Sequence, residues 1–170
     1  MDQVILVDEQ DREAGRMEKM EAHQKGMLHR AFSVVLFNSR GEMLLQKRST
    51  KKYHSGGLWT NTCCSHPQPG ELTAHAVRRK LKQEMGIDLL PEFAFKFHYR
   101  AELENGLIEN EIDHVYTGVF DGEPTLNPEE ADAWKFVDLN EIRHQVETNP
   151  DQFTVWFRKI LFHPELEGIY

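Results

Sequence analysis

The sequence predicts a single α+β domain built around a mixed β-sheet. Its 170 residues suit one globular domain with a full hydrophobic core. Short apolar segments typical of strands dominate the first two thirds of the chain, and helical patterns close it. The sequence contains no repeat, low-complexity tract or linker that would divide it, so residues 1–170 are expected to form one domain.

Six short apolar segments predict the strands of this sheet. They are Val4–Val7, Phe32–Phe37, Met43–Gln46, Phe93–Tyr99, Val115–Phe120 and Trp134–Val137. The turn sequence Asn38–Gly41 separates the second segment from the third. Turns of this composition join antiparallel neighbours, so these two strands are expected to pair as a hairpin.

Three segments show helical patterns. They are about Leu72–Met85, about Leu139–Glu147 and roughly Asp151–Phe162. In the first, Val77 and Leu81 recur at a spacing of four, and Gly86 can end the helix. The third has one apolar face, formed by Phe153, Trp156, Phe157, Ile160 and Leu161.

Composition excludes several classes of protein. The net charge of −8 argues against a broad nucleic-acid surface, although a local basic patch could still hold a small anion. No apolar run approaches the ~20 residues of a membrane helix. The stretch Met1–Gln10 has no basic region and is expected to be a first strand, not a signal peptide, which favours a cytoplasmic location. The two cysteines are adjacent, and a strained vicinal disulfide is a poor interpretation, so reduced thiols are expected.

The stretch Thr60–Glu71, TNTCCSHPQPGE, holds a thiol and an imidazole close together at Cys64 and His66. Two prolines and a glycine predict a rigid loop, which would pre-organise a catalytic thiol. The alternative is that both cysteines are small core residues beside a turn. On this stretch alone, the two interpretations are about equally supported.

Two carboxylates, Glu109 and Glu111, are spaced to share one face of a strand, and Asp113 extends that face. Neighbouring carboxylates repel each other unless a cation or a shared proton lies between them. The simpler interpretation is that this strand face is exposed to solvent, and the alternative is that the carboxylates form a metal site.

Histidines supply further candidate ligands. His23 and His29 lie just before the strand that contains Phe32. Imidazoles and carboxylates together suit zinc, manganese or iron better than calcium. The residues that could converge on one ion are His23, His29, His66, Glu109 and Glu111. The remaining histidines are not near other candidate ligands in the sequence and are interpreted as structural; they are His54, His75, His98, His114, His144 and His163.

Three further features admit two interpretations each. Glu84 borders the buried face of its helix, so it must bind a metal or pair with Arg78 or Arg79. The run Lys47–Lys52 carries four positive charges, which could hold a diphosphate or form a solvated loop. Trp156 is expected in the core, where its indole could also stabilise a carbocation.

Five stretches together carry a resemblance to a known family. They are MEKMEAH (Met17–His23), LHRAFSVVLFN (Leu28–Asn38), LWTNTCCSHP (Leu58–Pro67), HYRAE (His98–Glu102) and ENEIDHV (Glu109–Val115). In these stretches the chain resembles the type I isopentenyl-diphosphate isomerases, which belong to the Nudix superfamily. The resemblance runs from Val4 to about Phe162. It implies a Nudix-type mixed sheet sandwiched by helices, as a single domain with its core at about residues 4–162.

The Nudix box that this resemblance implies is degenerate. The matching residues are Glu71, Arg79, Leu81, Glu84, Gly86 and Ile87, whereas Ser65, Lys80 and Gln83 replace a glycine and two glutamates. Hydrolases of the superfamily use those glutamates to bind magnesium, so their loss argues against hydrolysis. Two alternatives remain: a Nudix hydrolase of a diphosphate metabolite, and a non-catalytic module that binds metal or an isoprenoid diphosphate.

The resemblance implies interconversion of isopentenyl diphosphate and dimethylallyl diphosphate by a 1,3-allylic proton shift. It implies Cys64 and Glu111 as the acid–base pair, and a Mn²⁺ or Zn²⁺ site formed by His23, His29, His66, Glu109 and Glu111. It further implies that Mg²⁺ binds Glu84 and the diphosphate. The implied substrate contacts are Lys19, Arg48, Lys52, Tyr99 and Trp156, and the third helix would cover the cavity. We expect a monomer or weak dimer without a nucleic-acid partner or membrane insertion.

Overall fold

The computed structural model describes residues 2–169, and within that range the chain forms nine strands and four α-helices. The strands are β1 (Gln3–Val7), β2 (Glu13–Glu18), β3 (His29–Phe37), β4 (Met43–Arg48), β5 (Trp59–Thr60), β6 (Cys63–Ser65), β7 (Glu92–Glu102), β8 (Ile108–Val119) and β9 (Ala131–Val137). The helices are α1 (Lys19–Lys25), α2 (Thr73–Met85), α3 (Leu139–Thr148) and α4 (Val155–Leu161). Short 3₁₀ turns occupy Glu104–Gly106, Pro150–Gln152 and Pro164–Gly168.

Strand β3 is the centre of the sheet. It pairs antiparallel with β1, β4 and β6, and parallel with β8 along its whole length. The outer strands pair antiparallel with their neighbours: β2 with β1, β7 with β8, and both β5 and β9 with β4. The predicted mixed sheet is therefore confirmed, and so is the hairpin from β3 to β4.

Helices cover both faces of this sheet. Because side chains alternate along a strand, Val34 and Leu36 of β3 pack into the core beneath α2. Val35 and Phe37 face the opposite core, which α3 and α4 complete. This is the predicted single domain with a sheet between helices. No helix within residues 2–169 is long and apolar enough to cross a membrane.

The six predicted strands and the first two predicted helices overlap observed elements, but three further strands and α1 were not predicted. Strand β2 is polar and mostly exposed, so it carries no apolar alternation. Helix α1 has only seven residues; the Glu18 carboxylate caps its first turn, and Gly26, at a φ of 67°, ends it. Cys64 was expected in a loop, and this was wrong, because Cys63–Ser65 pairs with β3 as β6.

The third predicted helix is shorter than expected. Its first residues form the 3₁₀ turn Pro150–Gln152, and Phe153 is extended and bridges to Trp59. Helix α4 begins only after Thr154, whose hydroxyl accepts a hydrogen bond from the Phe157 amide at 3.3 Å. The apolar periodicity of this segment therefore extends beyond the helix, because Phe153 is buried in the same core although it lies outside α4.

Candidate active site

The candidate site lies on one face of the sheet where β8 and β3 run side by side. Glu109, Glu111 and Asp113 share that face because they alternate along β8, and all three are buried, at 2–4 % exposure. The interpretation of these acids as a solvated strand face was therefore wrong. In the parallel ladder, His29 of β3 is the register partner of Glu111.

Backbone carbonyl groups orient two of the histidines. His23 Nδ1 lies 2.7 Å from the Lys19 carbonyl oxygen, and His29 Nδ1 lies 2.8 Å from that of Met27. A carbonyl oxygen only accepts, so Nδ1 carries the hydrogen and the neutral ring keeps its lone pair on Nε2. Both Nε2 atoms are buried and have no hydrogen-bond partner among residues 2–169. This is the arrangement in which a histidine binds a metal.

The predicted ligands converge. One ligand atom each from His23, His29, His66 and Glu109 lies within 4.8 Å of the other three. Glu111 Oε2 adjoins this group, at 2.9 Å from His66 Nε2 and 3.2 Å from His29 Nε2. Glu109 Oε2 is buried and has no hydrogen-bond partner in the described chain. Imidazoles with carboxylates fit a Mn²⁺ or Zn²⁺ ion, and the unpartnered buried atoms support that fit.

Neighbouring charges change how these groups titrate. Burial lowers the pKa of His23 and His29, but the carboxylates of Glu109 and Glu111 outweigh it and raise both pKa values. Burial and the nearby His29 charge lower the pKa of His66 well below its usual range. Burial raises the pKa of Glu111, but hydrogen bonds from surrounding groups outweigh that effect and lower it well below its usual range.

Tyr99 supports Glu111 directly. It lies opposite Glu111 in the antiparallel ladder between β7 and β8, and its hydroxyl donates a hydrogen bond of 2.5 Å to Glu111 Oε1. Burial and the nearby carboxylates raise the pKa of Tyr99 well above its usual range, so the phenol keeps its proton. The second oxygen of Glu111 faces the histidines, as described above.

The two cysteines are free thiols on opposite faces of β6. Cys63 packs in the core under α2, whereas Cys64, the register partner of Ser33, packs on the α4 side. Burial raises the pKa of Cys64 to about 12, although the Arg48 charge works in the other direction. Arg48 Nη1 lies 3.7 Å from Cys64 Sγ. The Cys64 side chain is therefore a neutral thiol near pH 7.

Cys64 and Glu111 line one cavity of about 280 Å³. Small-ligand pockets begin at about 300 Å³, so this cavity suits a small substrate. Eight further predicted site residues line the same cavity, whereas the predicted ligands His23 and His29 are not among its lining residues; the eight are Lys19, Arg48, Lys52, His66, Glu84, Tyr99, Glu109 and Trp156. Trp156 is 3 % exposed, and the Arg48 guanidinium lies 5.1 Å from the centre of its ring. Of the predicted basic run, Lys51 instead pairs with Glu129 at the surface.

Glu84 pairs with neither of its two predicted partners, and its Oε1 accepts a hydrogen bond of 3.2 Å from the Gln46 amide. Arg79 binds Glu71 at 2.7 and 2.8 Å, and Arg78 binds Asp88. Lys80 precedes Glu84 by one helical turn and therefore shares its face, with Nζ 3.5 Å from Glu84 Oε2. In the Nudix box that the resemblance implies, Lys80 is one of the residues that replace a glutamate.

His54 was interpreted as structural, but the structure places it in the site. His54 Nε2 lies 2.7 Å from Glu109 Oε1, and its ring centre lies 5.6 Å from that of His23. No sequence spacing could have shown this contact, because His54 lies in a loop between β4 and β5. By contrast, His114, which was also interpreted as structural, pairs with Asp11 at 2.8 Å.

Comparison with known proteins points to one family. A NUDIX domain model matches residues 27–157. The chain is 53% identical over 160 residues to isopentenyl-diphosphate Delta-isomerase 2 of Aromatoleum aromaticum, covering 94% of this chain and 85% of that protein. It is 52% identical to the isopentenyl-diphosphate Delta-isomerase of Pectobacterium atrosepticum, covering 92% of this chain and 87% of that protein.

Solved structures agree on the fold. The DR0079 protein of Deinococcus radiodurans superposes with a TM-score of 0.79 at 17% identity, covering 94% of this chain and 97% of that one. A MutT protein of Methanosarcina mazei superposes with a TM-score of 0.68 at 20% identity, covering 84% of this chain and 96% of that one. At such identities the likeness concerns the fold alone.

Proposed function

The chain belongs to the type I isopentenyl-diphosphate Delta-isomerases of the Nudix superfamily, and we propose that Cys64 and Glu111 carry the two proton transfers of its reaction. The enzyme interconverts isopentenyl diphosphate and dimethylallyl diphosphate in isoprenoid biosynthesis by moving one carbon–carbon double bond. The observation that carries the assignment of the pair is that both side chains line the same cavity.

The reaction adds one proton and removes another. A proton adds to the terminal methylene carbon of isopentenyl diphosphate, the π electrons form the new C–H bond, and a tertiary cation remains. A proton then leaves the carbon on the other side of the cation, and its bonding electrons form the new double bond. One of the two residues gives the first proton and the other takes the second, with the roles exchanged in the reverse direction.

The neutral thiol and the hydrogen-bonded carboxyl group suit these transfers. Cys64 keeps its proton near neutral pH because burial raises the pKa of its thiol to about 12. Glu111 is held between Tyr99 on one oxygen and His66 on the other, which fixes its direction towards the cavity. Fixed donors and acceptors need no rearrangement when charge develops.

The residues that would hold a Mn²⁺ or Zn²⁺ ion are His23, His29, His66, Glu109 and Glu111. A bound divalent ion would draw electron density from the Glu111 carboxyl group, which makes that group a stronger acid. The carbonyl groups of Lys19 and Met27 orient the rings of His23 and His29 through their Nδ1 atoms.

Basic residues that line the cavity would bind the diphosphate. Arg48 ends β4, Lys52 lies in the loop that follows it, and Lys19 opens α1; all three line the cavity. Glu84 is 2 % exposed and lines the same cavity. Mg²⁺ commonly binds one or two carboxylates together with substrate phosphates, so Glu84 suits a magnesium ion shared with the diphosphate.

The carbocation needs a dry environment with electron-rich walls, because water would trap it. Trp156 of α4 would supply an indole face, and the Arg48 guanidinium lies 5.1 Å from its ring centre, within the range at which an indole attracts a cation. The aromatic rings of Tyr99 and Trp156 are buried and line the cavity. We therefore propose that α4 covers the cavity, the role expected for the third predicted helix.

We also propose a cytoplasmic enzyme that acts as a monomer or weak dimer. The proton-transfer pair, the metal-binding side chains and the basic residues all come from one chain, so no second copy is needed to complete the site. Free thiols fit a reducing compartment. Light scattering at micromolar concentration measures the oligomeric state.

One assay tests the proposal. The protein is incubated with isopentenyl diphosphate and Mg²⁺ in deuterated water, and the product is analysed by mass. Dimethylallyl diphosphate that carries solvent deuterium is the expected result. Release of phosphate from a panel of nucleotides, without conversion of isopentenyl diphosphate, would instead support a Nudix hydrolase. Binding of the substrate without conversion would support a non-catalytic module.

A further inference from the structure

The loop between β4 and β5, residues 49–58, brings a fourth imidazole to the candidate metal site. His54 is 3 % exposed and lies in van der Waals range of two aromatic walls, with ring-centre distances of 4.4 Å to Tyr53 and 5.7 Å to Trp156. Its Nε2 atom lies 2.7 Å from Glu109 Oε1, an ion-pair distance, and makes no hydrogen bond of regular geometry within residues 2–169. A buried imidazole nitrogen thus lies against one oxygen of a proposed ligand.

Several contacts hold this ring in place. The Arg48 guanidinium donates a hydrogen bond of 3.1 Å to the His54 carbonyl oxygen. The next amide, that of Ser55, donates to the Glu104 carboxylate. His54 Nδ1 lies 3.0 Å from the Ser55 hydroxyl, which can accept the Nδ1 hydrogen or donate to that nitrogen. The loop is therefore fixed on both sides of His54. A residue that holds another side chain in place must itself be held in this way.

The two oxygens of Glu109 have different surroundings. Oε1 contacts His54 at 2.7 Å and lies 3.5 Å from His23 Nε2, whereas Oε2 is buried and has no hydrogen-bond partner in the described chain. We propose that His54 is a positioning residue for Glu109: its imidazole holds Oε1 and thereby presents Oε2 to the ion. This inference rests on the metal site proposed above.

The geometry assigns His54 to Glu109 and not to the ion itself. The four ligand atoms that lie within 4.8 Å of one another come from His23, His29, His66 and Glu109, and His54 is not among them. Groups that hold a metal ligand without touching the metal typically change its affinity by about 10- to 100-fold. The role is therefore measurable without relying on catalysis.

The test compares two variants of His54 by their affinity for Zn²⁺. His54→Phe keeps a flat ring in the same space but removes the nitrogen, whereas His54→Gln replaces the ring by a side chain that still carries an N–H donor. His144→Phe, at an exposed position on α3, is the matched control. Affinity is measured by competition with a chromophoric chelator, and circular dichroism checks that each variant folds.

We expect His54→Phe to bind Zn²⁺ about 10- to 100-fold more weakly than the wild type. His54→Gln should recover most of that affinity, and the control should match the wild type. Wild-type affinity in His54→Phe would overturn the inference. Equal losses in both His54 variants would also overturn it, because packing and not the nitrogen would then be responsible. A wild-type protein that does not bind Zn²⁺ or Mn²⁺ would instead refute the metal site itself.

Discussion

His29 and Glu111 are register partners on adjacent parallel strands, and His29 Nε2 lies 3.2 Å from Glu111 Oε2. Because side chains two residues apart share a strand face, this single pairing also places Glu109 beside the histidines. The parallel ladder between β3 and β8 thus assembles the proposed ligand set from segments about eighty positions apart in the chain.

Replacing Cys64 with Ala should lower kcat by about 10²- to 10⁴-fold, the usual contribution of one general acid or base. Cys63→Ala is the matched control, because Cys63 lies on the other face of β6, in the core under α2. The measurement is the steady-state isomerisation of isopentenyl diphosphate. Near-normal turnover by the Cys64 variant would exclude its proposed role.

The Cys64 thiol should react slowly with iodoacetamide. Burial raises its pKa to about 12, so the thiolate fraction at pH 7.5 lies far below that of a free cysteine, whose pKa is about 8.5. Alkylation should be at least about 100-fold slower than that of free cysteine and should still rise with pH above 9. Mass analysis of the Cys64 peptide over a pH series measures this. A rate that levels off near pH 8.5 would contradict the raised pKa.

Replacing His66 or Glu109 with Ala should reduce the metal content of the purified protein. Each removes one group from the proposed ligand set, and the loss of a ligand leaves the ion poorly held. His114→Ala, which removes a histidine paired with Asp11 outside the set, should keep the wild-type content. Elemental analysis of all three proteins decides the point. Unchanged metal in His66→Ala and Glu109→Ala would remove the proposed site.

The pair formed by Glu71 and Arg79 should make a pH-dependent contribution to stability. The Arg79 guanidinium holds the pKa of Glu71 below its usual range through two hydrogen bonds. Because the folded-state pKa lies below the unfolded one, this contribution is present above the unfolded pKa of about 4.3 and disappears as the pH falls through the folded pKa.

Glu71→Gln should therefore reduce the free energy of unfolding by about 0.5 to 1 kcal/mol at pH 7, a value limited by solvent exposure of the pair. The difference from the wild type should shrink below about pH 4. Urea denaturation at several pH values measures it. A difference that grows as the pH falls would contradict the assigned direction.

Replacing Trp156 with Phe should lower kcat more than it lowers substrate affinity. An indole face stabilises a nearby cation by about 0.5 to 2 kcal/mol, which corresponds to a loss of about 2- to 30-fold when a weaker ring replaces it. Phe preserves most of the packing on α4, so the variant should fold. Steady-state kinetics separate the two effects, and a change confined to KM would argue that Trp156 acts only in binding.

Much of the site could be predicted from local pattern. The spacing of Glu109 and Glu111 predicts a shared face on any strand, and the apolar segments around them predict that strand. What local pattern could not supply is long-range geometry. The contact of His54 with Glu109 depends on how an irregular loop folds over the sheet, and the choice between Lys80, Arg78 and Arg79 as partner of Glu84 depends on which helical face each one occupies.

The missed elements have similar causes. Helix α1 is too short to show a helical period, yet it carries His23 into the site through a carboxylate cap and a left-handed glycine. Strand β6 has three residues, and only its pairing with β3 turns Cys64 towards the cavity and Cys63 away from it. The resemblance to the isomerase family implied roles for both His23 and Cys64, but the elements that position them emerged only from the three-dimensional structure.

The most direct test of the acid–base pair is solvent deuterium uptake by Glu111→Gln, measured together with its metal content. Gln keeps the size of the side chain but neither gives nor takes a proton as a carboxyl group does. Glu111 belongs to the proposed ligand set, but Gln keeps a side-chain oxygen at the same position, and the three histidines and Glu109 remain in place. The variant should therefore retain the ion while its deuterium transfer into dimethylallyl diphosphate falls by about 100-fold or more. Transfer at the wild-type rate by the metal-loaded variant would contradict the account.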